Sequence, residues 1–180
     1  VDLKDPYKMV RKVSDNTFAR ITKDQPLIAK DKEYLRVIVE EELMPYIDYK
    51  YAALRVLGNH VSKVRAIEDK EEKAKAIKDL QHFIDVFQKY LIATYAGVFT
   101  QYTNQSVEFG PAQPFKGQDV VLVKTKIVEP GKPDIKIDFK VREDRDGDWR
   151  AYDMIAEGIS LLDAKQSELQ GILRQQGIEH

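Results

Sequence analysis

Cysteine is absent from the 180 residues, which excludes disulfides, thiolate nucleophiles and cysteine-held zinc or iron–sulfur centres and fits either redox compartment. A surplus of one charge is lacking too: 29 basic and 30 acidic residues leave a formal −1, so no global field draws in nucleic acid or an anionic membrane surface, and no nucleic-acid partner is expected. The histidines, His60, His82 and His180, are too scattered for a zinc ligand set and read as surface or satisfied side chains. Gly97, Gly110, Gly117, Gly131 and Gly147 stand singly, most of them in turn-like contexts, which leaves no phosphate-cradling loop. Tyr90 to Val107 carries no charge and is long enough for a membrane span, but Thr94, Thr100, Gln101, Thr103, Asn104, Gln105 and Ser106 within it favour a buried helix. The chain opens at Val1 with neither methionine nor a basic-then-apolar leader, so any export signal is expected to have been removed.

What is present is a period-two pattern between Val120 and Ser160. Ile135, Ile137, Phe139 and Val141 alternate with Lys136, Asp138, Lys140 and Arg142, one face greasy and the other charged. Upstream, Asp119 to Glu129 puts Val121, Val123, Thr125 and Ile127 on one side and Val120, Leu122, Lys124, Lys126 and Val128 on the other. Glu129-Pro-Gly-Lys-Pro133 suits a type II turn, and Asp144-Arg-Asp-Gly-Asp148 a tight reversal into Trp149 to Ala156. The pattern predicts an antiparallel meander of at least three strands, with Ser106 to Gly110 as a short fourth at the edge.

The remainder reads as helix. Asp5-Pro6 forms a cap-and-proline start for a helix with Val10, Val13, Thr17 or Phe18, and Ile21 at helical spacing, stopping before Pro26. A second helix starts near Asp31 and is broken at Pro45; a third covers Tyr46 to Leu57, with Gly58 as left-handed terminator. Asn59 to Asp79 is highly charged and reads as a solvated helical excursion. From Leu80 onward Phe83, Phe87, Tyr90, Leu91, Thr94, Tyr95, Val98 and Phe99 follow helical spacing. Ser160-Leu-Leu-Asp163 resembles a capping box opening a last helix before Gly177. The length fits one domain, 1–180.

Chemistry-bearing candidates are few. Asp153 and Glu157 are the acids within the otherwise apolar run Tyr152 to Leu162, so one of them is a candidate buried carboxylate acting as a proton-transfer base. The plainer reading puts Asp153 on a solvated face or beside Arg142 or Arg150, with Glu157 helping to end the strand. Periodicity alone leaves open whether the apolar helix and sheet faces fill themselves or enclose a cavity.

Tyr152-Asp-Met-Ile-Ala-Glu-Gly158, together with Glu41-Glu-Leu-Met-Pro-Tyr46, Lys50-Tyr-Ala52, Val56-Leu-Gly58, Asp5-Pro-Tyr-Lys8 and Trp149-Arg-Ala-Tyr152, resembles the MlaC family, the periplasmic phospholipid-binding proteins of toluene tolerance in Gram-negative bacteria. The resemblance spans about Asp5 to Gly177, with Asn59 to Asp79 longer and more charged than the family's usual connection. It implies an α+β fold: a curved antiparallel sheet of about four strands, of the NTF2-like or cystatin-like kind, wrapped by helices around a deep apolar pocket. It also implies a non-enzymatic carrier, without cofactor, that moves phospholipid through the periplasm between an outer-membrane lipoprotein–porin complex and an inner-membrane ABC transporter, keeping the outer membrane asymmetric. A monomer is expected. Pocket walls are then expected at Leu57, Phe83, Phe87, Leu91 and Tyr95 from helices and at Val121, Val123, Ile137, Phe139, Val141, Tyr152 and Met154 from strands, with Arg142 and Arg150 for headgroup contact or partner docking. The rival expectation is an isomerase or dehydratase on a similar sheet, using Asp153 as base.

Overall fold

A computed structural model of the chain describes residues 1–100 and 106–176, the side chains of residues 98 and 173–176 excepted. Helix α1 (Pro6–Lys23) starts where expected: the Asp5 carboxylate accepts from the amides of Tyr7 and Lys8, and Pro6 fills the first turn where no amide is needed. Its buried stripe is Met9, Val10, Val13, Thr17 and Ile21. Pro26 opens a short α2 (Gln25–Lys30). Helix α3 (Tyr34–Ile38) continues into a π turn (Val39–Leu43) and a 3-10 turn (Met44–Tyr46) at Pro45.

Helix α4 (Tyr49–Leu57) begins three residues later than the expected Tyr46, because Asp48 caps it through the Tyr51 amide at 3.1 Å. Gly58 has the expected positive φ of +58°, but its ψ of −126° is not that of a left-handed helix residue, and the chain turns directly into α5 (Asn59–Arg65). The charged excursion is therefore divided: α5, a short connection, and the first turns of α6 (Lys70–Phe99), a 30-residue helix roughly 45 Å long. The charged and apolar parts, expected to be separate, form one continuous rod. Among the described residues no helix is long and apolar enough to cross a membrane.

Strands β1 (Ser106–Phe109), β2 (Val120–Val128), β3 (Ile135–Glu143), β4 (Trp149–Ala156) and β5 (Ile159–Ser160) form one antiparallel sheet in sequence order. The expected four-strand meander thus gains a two-residue fifth member. Its turn, Glu157-Gly158, has positive φ at both positions, +50° and +82°, as a two-residue hairpin of the right twist requires. Lys140 pairs with Asp153 and Val141 with Ala151, so Tyr152 is an extra residue in β4, a bulge that re-aims its side chain. Helix α7 (Leu161–Gln176) follows directly. Gly177, the expected end of this helix, lies outside the described residues, as do Gln101, Thr103, Asn104, Gln105 and His180.

Buried apolar side chains fall into two clusters. One joins α1 to the sheet through Met9, Val10, Val13, Val121, Val123, Val141 and Trp149. The other is helical, with Ile21, Leu35, Ile38, Ala53, Val56, Phe87, Leu91 and Leu162, and takes in Tyr152 from the bulge. Leu43 packs against both. A domain of this size ordinarily has one continuous core.

Candidate functional site

The strand register sets up ordered rows on one face of the sheet. Val121, Val141 and Ala151 lie side by side; next come Val123, Phe139 and Met154, then Thr125, Ile137 and Ala156 with Ile159 beyond, and last Ile127 and Ile135. Burial falls along these rows. Val121 and Val141 are closed off beneath α1, Phe139, Ile137, Met154 and Ala156 are partly accessible, and Ile135 and Ile159 are 46% and 67% exposed. The one polar side chain within this inner surface, Thr125, donates its hydroxyl to the Ile137 carbonyl at 2.6 Å, which removes the cost of leaving it unpaired among apolar neighbours. The result is an apolar ramp, shut at the α1 end and open at the end formed by the β2–β3 and β4–β5 turns.

Tyr95 is the informative residue on the helical side. Loss of solvation, followed by the nearby Asp153 carboxylate, pushes its phenol up to about 12, the mark of a deep position. The side chain nevertheless keeps accessible surface, and its hydroxyl has no hydrogen-bond partner among the described residues. Around it Phe83, Tyr90, Ile92 and Phe99 of α6 are likewise packed on the helical cluster without being closed.

The residues expected to wall a pocket are distributed over both clusters. Phe87, Leu91 and Tyr152 are buried in the helical one, with Phe83 and Tyr95 at its edge; Val121, Val123 and Val141 are buried in the sheet one, with Phe139 at its edge. Leu57 is buried at the end of α4, outside both clusters. Ile137 and Met154, also in neither, lie on the ramp between. Ile127, Ile135, Ala156 and Ile159 lie on the same face and were not among the expected wall residues, although the alternation already put Ile127 and Ile135 on that face.

Asp153 is the buried carboxylate that the apolar run suggested, and it fits neither of the plainer readings. It is 6% exposed, so it is not on a solvated face, and it makes no ion pair with Arg142 or Arg150. Its carboxylate accepts from the Ser160 hydroxyl at 2.5 Å, the Leu162 amide at 3.1 Å and the Met154 amide at 2.8 Å. Ser160 in turn caps the Asp163 amide at 3.1 Å, as the capping-box reading predicts. Both carboxylate oxygens are thus engaged at the start of α7, and three of the carboxylate's about four acceptor positions are taken by structural donors. Glu157 does end the strand: its amide donates to the Lys136 carbonyl and its carboxylate accepts from the Lys136 amide.

The two arginines lie on the opposite, outer face, where Arg142 neighbours Arg150 across the strands. Arg142 reaches Asp48 at 3.4 Å and sits 4.0 Å from the centre of the Tyr51 ring, which meets Tyr152 edge-on at 5.0 Å. Arg150 pairs with Asp144 at 2.7 Å. An open depression of about 400 Å³ on the solvent side of α1 is lined by Val1, Asp2, Lys8, Arg11, Lys12 and Asp15, chemistry unsuited to an apolar ligand. Among the described residues no group of His, Asp or Glu is placed to hold a metal ion.

Comparison with known proteins completes the description. A family model described as MlaC protein matches residues 11–180. The chain is 31% identical over 176 residues to the intermembrane phospholipid transport system binding protein MlaC of Haemophilus influenzae, covering 97% of this chain and 77% of that one. It shares its fold, at a TM-score of 0.79 and 22% identity over 97% of this chain and 91% of the other, with a phospholipid-binding protein from Ralstonia solanacearum solved in complex with a phospholipid.

Proposed function

From the premise that the chain belongs to the MlaC family, we propose that it binds phospholipid by its acyl chains between the helical cluster and the inner sheet face and carries it through the periplasm. It acts as one domain, 1–180, exchanging cargo with an outer-membrane lipoprotein–porin complex and an inner-membrane ABC transporter and so maintaining outer-membrane asymmetry. No chemical step is part of this role. The observation that carries the reading is the ramp itself, partly accessible apolar side chains at Ile137, Phe139, Met154 and Ala156 that are closed off by α1 at one end and open at the other.

The energetics define what such a site must do. Two acyl chains with roughly thirty methylenes lose on the order of 24 kcal/mol if brought into water at about 0.8 kcal/mol each. A carrier has to replace most of that with apolar contact, and a headgroup phosphate stays at the opening because burial without partners is costly. Ile137, Phe139 and Met154 on the ramp, with Phe83, Phe87, Leu91 and Tyr95 opposite, are the proposed walls; Val121, Val123, Val141 and Tyr152 support them from within the closed clusters, and Leu57 from the end of α4. Arg142 and Arg150, oriented by Asp48 and Asp144, are proposed as docking charges of the outer face. The isomerase alternative is the poorer reading, since three structural donors already draw on the Asp153 carboxylate.

Denaturing extraction followed by lipid mass spectrometry tests the proposal. Near-stoichiometric phospholipid is expected from freshly purified protein, and Met154→Trp or Ile137→Trp, which add bulk on the ramp, should cut it at least fivefold while the urea midpoint holds. Protein free of lipid, or lipid content indifferent to both substitutions, overturns it.

A further inference from the structure

The antiparallel register leaves one stretch of the sheet without a neighbour. Strand β1 accompanies β2 from Val128 back to Thr125, and the Gly110 amide adds one more bond, to the Lys124 carbonyl at 2.9 Å. Continued, it would set Ala112 against Leu122 and Pro114 against Val120, but Pro114 has no amide to give and the strand ends at Phe109. On this side β2 runs on alone from Val123 to Val120.

Backbone alternation tells which groups are left over. The Lys124 carbonyl points towards β1, and the Asp119 carbonyl points the other way, accepting from the Glu143 amide. The amides and carbonyls of Val120 and Leu122 therefore face the open side. No residue of the 111–119 connection bonds to them, and they have no other partner on that side among the described residues. Buried backbone groups are almost always paired, so these are open to water. The two side chains stand on the outer face at 42% and 38% exposed. Sheet edges are ordinarily blunted by a charge, a proline or a bulge, and Val120-Val-Leu-Val123 has none of these.

We propose that this edge pairs with the same edge of a second copy of the chain about a two-fold axis, joining two five-stranded sheets through β2. The edge is its own complement. With Val120 of one copy opposite Leu122 of the other, both pairs exchange amide-to-carbonyl bonds in each direction, and the apolar side chains meet on one face. The two β1 strands do not compete for the place, since each occupies its own β2 only from Lys124 onward and the pairing lies between them. Backbone complementarity, not charge, selects the partner: Asp119 of one copy comes near Lys124 of the other, but Lys124 already has Asp138 beside it on β3. A flexible peptide is the poorer occupant. The same few bonds would have to offset the ordering of its whole extended length, whereas a strand held in a sheet is ordered beforehand. A contact this short is well below the ~1,200–2,000 Å² of a stable interface, so the pairing is reversible and the dilute protein is a monomer. The inference is independent of the cargo.

Sedimentation velocity from about 10 µM to about 1 mM, with amide exchange followed at Val120 and Leu122, tests the pairing. The weight-average coefficient should rise with concentration, and exchange at the two amides should slow at least fivefold between the extremes. Leu122→Pro removes a donor but keeps an apolar side chain, and Val120→Lys with Leu122→Lys charges the edge while leaving every backbone group in place. Each should weaken association at least tenfold, and the double lysine variant decides if the proline variant does not fold. Val86→Ser, at a 49% exposed position on α6, should leave association unchanged. A chain that stays monomeric to about 1 mM, or association that survives the lysine variant, overturns the inference. So do amides at Val120 and Leu122 that are protected already at the lowest concentration, which would mean that the edge is covered within one copy. Protection that appears only on adding a membrane protein complex assigns the edge to a foreign strand and overturns self-pairing.

Discussion

Asp153→Ala separates a structural carboxylate from a catalytic one by the sign of its effect on stability. In the structure the substitution strips the acceptor from the buried Leu162 amide and from the Ser160 hydroxyl. An unsatisfied buried amide costs about 1–3 kcal/mol, a weakened serine cap about 1 kcal/mol, and the lost negative charge at a helix start about 0.3–1 kcal/mol. The sum is about 2–5 kcal/mol, which at a urea m-value of about 2 kcal/mol/M lowers the midpoint by roughly 1–2.5 M. Because Asp153 and Ser160 act as one unit, Ser160→Ala in the Asp153→Ala background should cost far less than it does alone, with a coupling of about 1 kcal/mol or more. A base held unpaired in an apolar hollow would behave in the reverse way, since removing a poorly solvated charge stabilises. A midpoint that moves by less than about 0.5 M, or rises, would refute the capping role and return Asp153 to the list of catalytic candidates.

Two further expectations follow from local geometry and charge. Glu157 holds φ of +50° in a turn that favours Asn-Gly, at the cost of one exposed hydrogen bond from the Lys136 amide, so Glu157→Asn should raise stability by about 0.5 kcal/mol, or roughly 1–2 °C in a melting scan; a loss of 1 kcal/mol or more would mean that the carboxylate contact matters more than the backbone strain. Amide donors from Asp148 and Asp146, together with Arg150, hold the Asp144 carboxyl below its usual range, and Arg20 and Tyr34 do the same for Asp24. A depressed carboxyl contributes stability above its unfolded pKa of about 3.9 and loses it as pH falls through the folded value, so urea midpoints should drop on going from pH 5 towards pH 3 and Asp144→Asn should flatten part of that drop. An unchanged slope in the variant would show that the turn contributes nothing to acid sensitivity.

The β-meander was legible because a half-buried strand writes its burial as alternation, and Val121, Val123, Ile137, Phe139 and Val141 obey that code. Caps were legible for a similar reason: Asp5-Pro6 and Ser160 are local instructions, read by amides two or three residues away. What escaped was whatever depends on partners distant in sequence. Nothing near Asp153 in the chain says that Ser160 and Leu162 will fold back onto it, because the hairpin that returns them hangs on a two-residue turn and a two-residue strand. The bulge at Tyr152 was hidden too, since alternation in β4 is interrupted by one residue and period counting spreads the error over its neighbours. Period also fails to grade exposure along a face. Ile135 and Val141 occupy equivalent positions in the pattern, yet one is 46% exposed and the other 0%, because α1 covers only one end of the sheet.

That uneven cover is costly to the folded state, and other contacts have to offset it. Each Ile or Met side chain left partly open on the ramp forgoes a share of the ~1.5–3 kcal/mol that full burial supplies, against a net stability of about 5–15 kcal/mol for a typical domain. Where apolar packing is withheld, polar links join the parts. Arg20 at the end of α1 reaches Asp24, Glu41, Glu42 and the Tyr34 hydroxyl, tying α1 to α3 and the π turn. The Asp48 amide donates to the Ala151 carbonyl at 2.8 Å, fixing the start of α4 to β4, and Asp153 fixes α7 to the same strand. Directional bonds of this kind hold helices at a set distance from a sheet without filling the space between, which side-chain packing alone cannot do. The proposed carrier role depends on that division of labour: geometry kept by a few polar contacts, and apolar surface left for a cargo to complete.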